Sequence, residues 1–528
     1  MLTPDSKSAE ELSEQLQDSA GTTEIEEAIE AIEGPSPAEE QFERWRRTVG
    51  LFLGPAVFLL LWLLPFPALK PEAHRLAAVV TLVVVWWITE PIPIPATALI
   101  GAALTVVCGI APATEAFAPF ASPTIFLFIG SFIIGRAVTE HQLDRRLAFS
   151  LLSLRAVRGN TGRIKIALGL FTAAVSAWMS NTATTAMMLP IAVGILATSG
   201  AGRGRHGKVY ASGLLLNLAY AAAVGGIITP VGSPPNLITL GLLERLAGVR
   251  INFLTWMLVM TPIALAFSVV SLLVTRSKAP EGASGSPAAA AFIRRKRPVG
   301  PWTAGQINCT IAFGVAVVLW VLPGVVALVG SPNSPLSRWL VAHFEESVVA
   351  VVAAGLLFLL PIDWSNRKFT LGWAEAKEID WGTILLFGGG LSLGRLMFET
   401  GLAATVGTAL VDLSGAQSLW AVTAVSLIIG ILLTEITSNT AATNMLVPVV
   451  ISICQAGQMN PVPPSLGACV GASMAFMLPI STPPNAIVYG SGLVPITTMI
   501  RKGVLLDVIA GVIAFAGLRI LCPLLGLA

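Results

Sequence analysis

Charge is scarce in this 528-residue chain: Asp, Glu, Lys and Arg together make 12% of it, against 54% hydrophobic residues. At a mean hydropathy of +0.78 there are too few polar side chains to clothe a water-soluble body of this size, so a bilayer has to solvate much of the surface. Histidine occurs four times, and His74, His141, His206 and His343 read as connector residues. That leaves no nucleophile with a base and no metal cluster at membrane depth, which argues against an intramembrane enzyme. The five cysteines (Cys108, Cys309, Cys454, Cys469 and Cys522) lie in apolar runs without a CxxC pair, so they read as packing residues and supply neither a disulfide frame nor a metal site.

What the chain does have is apolar length. Stretches long enough to cross a hydrocarbon core of roughly 30 Å as helices recur along it, and we expect an all-α polytopic membrane protein of about 11 transmembrane helices. They fall near 49–66, 76–92, 96–112, 122–138, 208–246, 253–275, 302–328, 345–361, 380–398, 464–492 and 504–526. Two further stretches, 164–198 and 417–455, carry Ser180-Asn181-Thr182 and Ser438-Asn439-Thr440 at mid-length. A continuous helix would have to bury those hydroxyls and amides in lipid, so re-entrant hairpins ending inside the membrane fit better. Ahead of all this, residues 1–43 hold 13 Asp or Glu and a single Lys with no apolar stretch, the pattern of a solvated acidic tail and not of a signal peptide.

The chain repeats itself. Thr124-Ile125, Leu127-Phe128, Gly130, Gly135-Arg136 and Glu140 return 259 residues later as Thr383-Ile384, Leu386-Phe387, Gly389, Gly394-Arg395 and Glu399. SNTATTAMMLP (180–190) returns as SNTAATNMLVP (438–448), and PVGSPPNLITLG (230–241) as PISTPPNAIVYG (479–490), in the same order. The expected organisation is an acidic cytoplasmic tail over 1–48, a first transmembrane helix in 49–75, one repeat over 76–275, a cytoplasmic linker over 276–300 and a second repeat over 301–528.

Basic residues assign the orientation. Outside the tail there are 31 basic residues against 17 acidic ones (32 less 1, 30 less 13). The connector after the first shared block holds Arg145, Arg146, Arg155, Arg158, Arg163 and Lys165, whereas its counterpart at 399–416 holds none. The two repeats therefore read as inverted. With the N-terminus inside, inner loops collect 23 basic residues, including Arg203, Arg205, Lys208, the run Arg294 to Arg297, Arg367, Lys368, Arg501 and Lys502. The outer loops collect five, Lys70, Arg75, Arg245, Arg250 and Arg338. Such loops report topology and do not call for a nucleic-acid partner. Inverted repeats with helices broken at matched positions are a common plan of secondary transporters.

Each SNT cluster stands where a second hairpin arm begins, so free backbone N–H groups and the helix dipole attract an anion there. Neither cluster contains Lys, Arg or His, which makes a co-bound cation physically attractive. The paired prolines of TPVGSPPN (229–236) and ISTPPN (480–485) leave carbonyls free for a hard cation, with nearby Ser, Thr and Asn oxygens, and sodium suits that environment.

In these motifs the chain resembles the divalent anion/sodium symporters, the solute carrier 13 and INDY-like transporters of di- and tricarboxylates or sulfate, from about residue 49 to 528. The resemblance implies an elevator-type homodimer in a bacterial inner membrane, with the C-terminus outside. It implies one sodium site at Ser176, Ser180, Asn181 and Gly232 and another at Thr434, Thr437, Asn439 and Ser481. A small dianion, foremost a C4-dicarboxylate such as succinate, malate or fumarate, would be held by Ser180, Asn181, Thr182, Ser438, Asn439 and Thr440, with Ser233 and Thr482 nearby. Sulfate or citrate as substrate, dicarboxylate exchange, and a sodium/proton antiporter or anion exporter are the alternatives; the absence of a cation at the ion positions leans toward symport.

Other membrane polar residues carry expectations too. Glu90 and Glu435 are intramembrane acids. Glu435 either tunes the second site, carries a proton, or pairs locally and stabilises its hairpin, the last being favoured. Arg136 with Glu140 and Arg395 with Glu399 have the spacing of helix-face pairs and read as supports. Residues 139–158 read as an amphipathic connector on the inner surface.

Overall fold

A computed structural model of the chain describes residues 37–528 apart from 68, 155, 158–159, 200–203, 279–290, 294–299, 331–333 and 415–417. Most of the tail, Arg155, Arg158, Arg203, the run Arg294 to Arg297 and most of the 276–300 linker lie outside the described residues.

Helices make nearly all of it. The first part runs α1 (Pro37–Leu63), α2 (Pro71–Thr89), α3 (Ile94–Val107), α4 (Ala113–Phe117), α5 (Pro123–Glu140) and α6 (Leu143–Leu152). The first hairpin is α7 (Thr161–Ser176) and α8 (Asn181–Ser199), followed by α9 (Gly204–Gly226), a 3-10 turn at Pro230–Gly232, α10 (Pro234–Ala247) and α11 (Phe253–Val274). Next come α12 (Ala304–Val329), α13 (Pro335–His343), α14 (Glu346–Leu359), a two-stranded ribbon of β1 (Pro361–Asp363) and β2 (Lys368–Phe369), and α15 (Trp373–Ala376). The rest is α16 (Trp381–Glu399), α17 (Leu402–Ser414), α18 (Leu419–Ile436), α19 (Asn439–Ala456), α20 (Val462–Ala472), α21 (Pro483–Gly490) and α22 (Ile496–Leu524).

Ten of the described helices are long and apolar enough to cross a membrane, or eleven if α13 and α14, bent by 59° at their junction, count as one. The number agrees with the sequence, but the membership differs. Two of the ten are hairpin arms, Asn181–Thr198 and Leu419–Ile436, whereas the expected spans at 208–246 and 464–492 are interrupted helices and that at 96–112 is a helix of 14 residues.

The same chemistry starts and stops these elements at matched places. Proline opens α2, α5, α10, α13 and α21, where its missing N–H is one of the unpaired donors of a first turn. Each hairpin's first arm carries a side-chain cap: Asn160 Oδ1 accepts from Arg163 N at 2.9 Å, and Ser418 Oγ from Ala421 N at 3.3 Å. Among the described residues, α7 packs on α9 and α18 on α20, and both hairpins border a core that includes Trp256, Tyr220, Phe128 and Phe387.

Three local readings shift. The first helix begins at Pro37, inside the segment assigned to the tail, because Glu43, Arg46 and Arg47 pair along its surface (Arg46 to Glu43, 2.8 Å) and water solvates helix as readily as coil. Glu90 ends α2 in a left-handed conformation, partly buried and 3.9 Å from Arg46, whose closer partner is Glu43 at 2.8 Å. The histidines sit at helix ends: His74 in the first turn of α2 contacts Leu61 O, and His141 just after α5 contacts Thr370 O.

Candidate functional site

Helix stops at Ser176 and resumes at Asn181 in the first hairpin; it stops at Ile436 and resumes at Asn439 in the second. Both asparagines therefore open a helix, and the N–H groups of each first turn face the break. The local bonding is repeated as well. Ser176 Oγ donates to Asn181 Oδ1 at 2.7 Å, and Thr434 Oγ1 donates to Asn439 Oδ1 at 2.6 Å. Thr185 and Thr443 hydroxyls donate back to the Asn181 and Asn439 carbonyls, both at 2.8 Å.

The Pro-Pro-Asn loops are held open by their asparagines. Asn236 Nδ2 donates to Gly226 O and Thr229 O, both at 2.8 Å, and Asn485 Nδ2 donates to Ala475 O at 2.9 Å and Leu478 O at 3.0 Å. Every partner in the second set lies 249 positions beyond its partner in the first. Both asparagines are fully buried. Their amides replace the N–H donors that the unwound backbone and its prolines cannot supply, so they act as latches. Sequence reasoning missed this by counting the asparagine among the cation's oxygen ligands; its repetition directly after two prolines was the available signal.

Oxygen atoms crowd the first break. A Cβ on Gly232 would meet Gly226 O at 2.7 Å and Ala177 O at 2.8 Å, and one on Gly226 would meet Asn181 Oδ1 at 2.5 Å. Ala177 O also accepts from the Thr229 hydroxyl. Around the second break, Thr434 Oγ1 lies 2.7 Å from Ala472 O. Two residues of that set turn their hydroxyls elsewhere: Thr437 Oγ1 donates to Trp87 O at 3.1 Å, and Ser481 Oγ to Glu435 Oε2 at 2.5 Å. Any part these two take in an ion site therefore falls to their backbone carbonyls or hydroxyl lone pairs.

Glu435 pairs locally. Its Oε1 accepts from Phe476 N at 2.9 Å and Met477 N at 3.0 Å, tying the end of α18 to the unwound stretch between α20 and α21. Its position in the first repeat is occupied by Ala177.

Both hairpin ends and both loops line one cavity of about 420 Å³. Ser180, Asn181, Thr182, Gly232 and Ser233 come to it from the first repeat, and Ser438, Asn439, Thr440, Ser481 and Thr482 from the second. Ser176, Thr434 and Thr437 lie behind its wall and are buried. Among the described residues the hydroxyls of Ser180, Thr182, Ser233 and Thr440 make no protein hydrogen bond, which leaves them for a ligand. Arg136 is the one basic residue on the lining; at 2.6 Å from Glu378 and 3.3 Å from Glu140, its charge is already answered. Its repeat counterpart Arg395 pairs with Glu399 at 2.6 Å.

Residues 45–525 match a family model described as the sodium:sulfate symporter transmembrane region. The chain belongs to this family. Within it, the sodium-dependent dicarboxylate transporter SdcS of Staphylococcus saprophyticus is 31% identical over 90% of this chain and 91% of its own length. A transporter of Haemophilus influenzae named only as uncharacterized is 33% identical over 86% of this chain and 93% of its own. The solved YdaH transporter of Alcanivorax borkumensis covers 92% of this chain and 97% of its own at 13% identity, with a TM-score of 0.49, too low to carry weight. Membership of the symporter family, with ten membrane-length helices, makes the chain an integral membrane transporter and not an enzyme.

Proposed function

We propose that this symporter-family member imports a small dianion, foremost a C4-dicarboxylate such as succinate, malate or fumarate, together with sodium. The observation that carries the reading is the shared cavity: two helix N-termini, four free hydroxyls and two asparagine amides meet there, with no unpaired cation. An anion seated in it needs positive charge that side chains do not supply, and the oxygen clusters behind Asn181 and Asn439 are suited to alkali ions. About 420 Å³ corresponds to about 14 water volumes at roughly 30 Å³ each, room for a dicarboxylate with water around it. The names of the SdcS relatives favour a dicarboxylate over sulfate.

The proposed sodium sites are Ser176, Ser180, Asn181 and Gly232, and Thr434, Thr437, Asn439 and Ser481. Substrate would lie against Ser180, Asn181, Thr182, Ser438, Asn439 and Thr440, with Ser233 and Thr482 beside it. The basic connectors meet in space: Arg146 binds Gly300 O at 2.6 Å, and Lys165 binds Thr275 O. At the other end of α11, Gln455 donates to Leu246 O at 2.8 Å. This supports hairpins entering from opposite sides, as inverted repeats require, with the N-terminus cytoplasmic and the C-terminus outside. The cavity mouth, marked by Arg136, Glu378 and Asp380, then faces inward. Transport proceeds by an elevator movement of the hairpins and broken helices, in a homodimer built on the remaining helices.

Uptake of labelled succinate into proteoliposomes, with sodium or with choline and with sulfate, citrate or 2-oxoglutarate as competitors, tests this. Sodium-stimulated uptake inhibited best by C4-dicarboxylates is expected; uptake indifferent to alkali ions, or inhibited only by sulfate, overturns it.

A further inference from the structure

The second repeat holds an arrangement that the first lacks and that the two ion clusters do not use. Asp507, on α22, is 4% exposed, and neither of its carboxylate oxygens has a hydrogen-bond partner among the described residues. It stands on the helix that packs against Phe476 and Met477, the two residues whose N–H groups the Glu435 carboxylate accepts. The Tyr220 hydroxyl reaches the same segment, since it donates to Phe476 O at 3.2 Å.

The approach is built into the packing. Gly503, one helical turn before Asp507, lets α22 press directly on the unwound segment: a Cβ there would sit 2.2 Å from Phe476 O and 2.5 Å from Met477 Cα. Asp507, four residues on, falls on the same helix face. Glu435 is already supplied with donors by Phe476 N, Met477 N and Ser481 Oγ, whereas Asp507 has none. No Lys, Arg or His among the described residues pairs with either acid.

We propose that Asp507 and Glu435 form a further binding site for a monovalent cation, completed by the Tyr220 hydroxyl oxygen. Two adjacent carboxylates shielded from water are strongly unfavourable without a positive charge between them. A single shared proton would occupy one lone pair and leave the other Asp507 oxygen bare. A coordinated alkali ion takes both Asp507 oxygens together with Glu435 and tyrosine oxygens, an all-oxygen set of the kind hard cations choose. Because the site braces the stretch between α20 and α21 that also borders the second ion cluster, its cation would be carried with the other sodium ions. This extends the sodium-coupled reading and rests on it.

The test is the sodium-to-succinate flux ratio, from labelled sodium and labelled succinate in proteoliposomes under a potassium diffusion potential. Asp507→Asn is expected to import one sodium fewer per succinate than the unmodified protein and to lose most of its stimulation by an inside-negative potential. An unchanged ratio overturns the proposal, as does a variant that keeps its ratio while losing a succinate-coupled proton influx, which would put a proton on the pair. If Asp507→Asn does not fold, the double variant Asn181→Ala/Asn439→Ala, which leaves this site whole, is titrated with sodium chloride against choline chloride in a thermal-stability assay. Sodium-specific stabilisation supports the site, and its absence overturns it. Failure of sodium to stimulate uptake by the unmodified protein would instead sink the symport reading itself.

Discussion

Asn485→Ala is the sharpest probe of how the broken helices are kept open. The side chain is 1% exposed and gives both amide hydrogens to backbone carbonyls, Ala475 O at 2.9 Å and Leu478 O at 3.0 Å. Truncation leaves two buried acceptors without donors, at about 1–3 kcal/mol each, so about 2 kcal/mol is a low figure for the loss. The carbonyls freed from their latch belong to the segment that borders the second ion cluster, so the loss falls on the ion-ready geometry. If 2 kcal/mol is taken from sodium binding, the concentration for half-maximal uptake rises by about 30-fold at 1.4 kcal/mol per factor of ten. Sodium titration of succinate uptake measures it, with Asn236→Ala as the matched variant in the other repeat. Asn485→Asp, which keeps the shape but sets an acceptor against two acceptors, should be worse than alanine. Half-saturation and melting temperature for Asn485→Ala both indistinguishable from the unmodified protein would refute the latch.

Three further outcomes follow from the same geometry. Asn181→Ala and Asn439→Ala should each abolish sodium-driven succinate uptake while the purified protein keeps its elution volume and helical circular dichroism; uptake near the original rate in either would remove that asparagine from the site. Gly503→Ala drives a methyl group into Phe476 O and Met477 Cα, an overpacking cost of about 1–3 kcal/mol, and should lower thermal stability more than Gly511→Ala, whose Cβ would meet only Ile431 Cδ1 at 3.3 Å. Arg250→Gln removes a 2.7 Å pair with Glu346 that ties the α10–α11 turn to α14; at up to about 1 kcal/mol for an exposed pair, it should shift the balance of conformations by no more than about fivefold, read as the thiol-labelling rate of a Thr182→Cys reporter in the cavity.

Much of this was legible in the sequence because membrane burial is unforgiving. Ser180-Asn181-Thr182 in the middle of an apolar run has to mark a break, and the helix does stop four residues short of Asn181. The repeated motifs led to the cavity, since all eight residues expected to hold substrate line it. The charged start of α1 was not legible, because hydropathy reports where lipid begins and says little about where helix does. The Asn236 and Asn485 latches were hidden because an asparagine offers both a donor and an acceptor, and only the fold decides which one is used. Asp507 was hidden for another reason: it is the sole acid of a 29-residue helix, and its meaning depends on Glu435, 72 positions earlier.

The repeats also differ where they matter most. In the first, the break is tied by neutral groups, with the Thr229 hydroxyl on Ala177 O and Gly232 packed against the same carbonyl. In the second, a carboxylate stands at the equivalent of Ala177 and gathers two backbone N–H groups and a serine hydroxyl. A carboxylate next to one oxygen cluster and not the other makes the two proposed ion sites unequal, since at short range in a poorly screened interior a single charged group outweighs small differences in oxygen geometry. Glu435→Gln should therefore weaken sodium binding in the second cluster far more than in the first, although the SNT motifs that mark the two clusters are identical. Internal symmetry thus locates the two oxygen clusters, and the carboxylate beside one of them is the departure from it that separates the two.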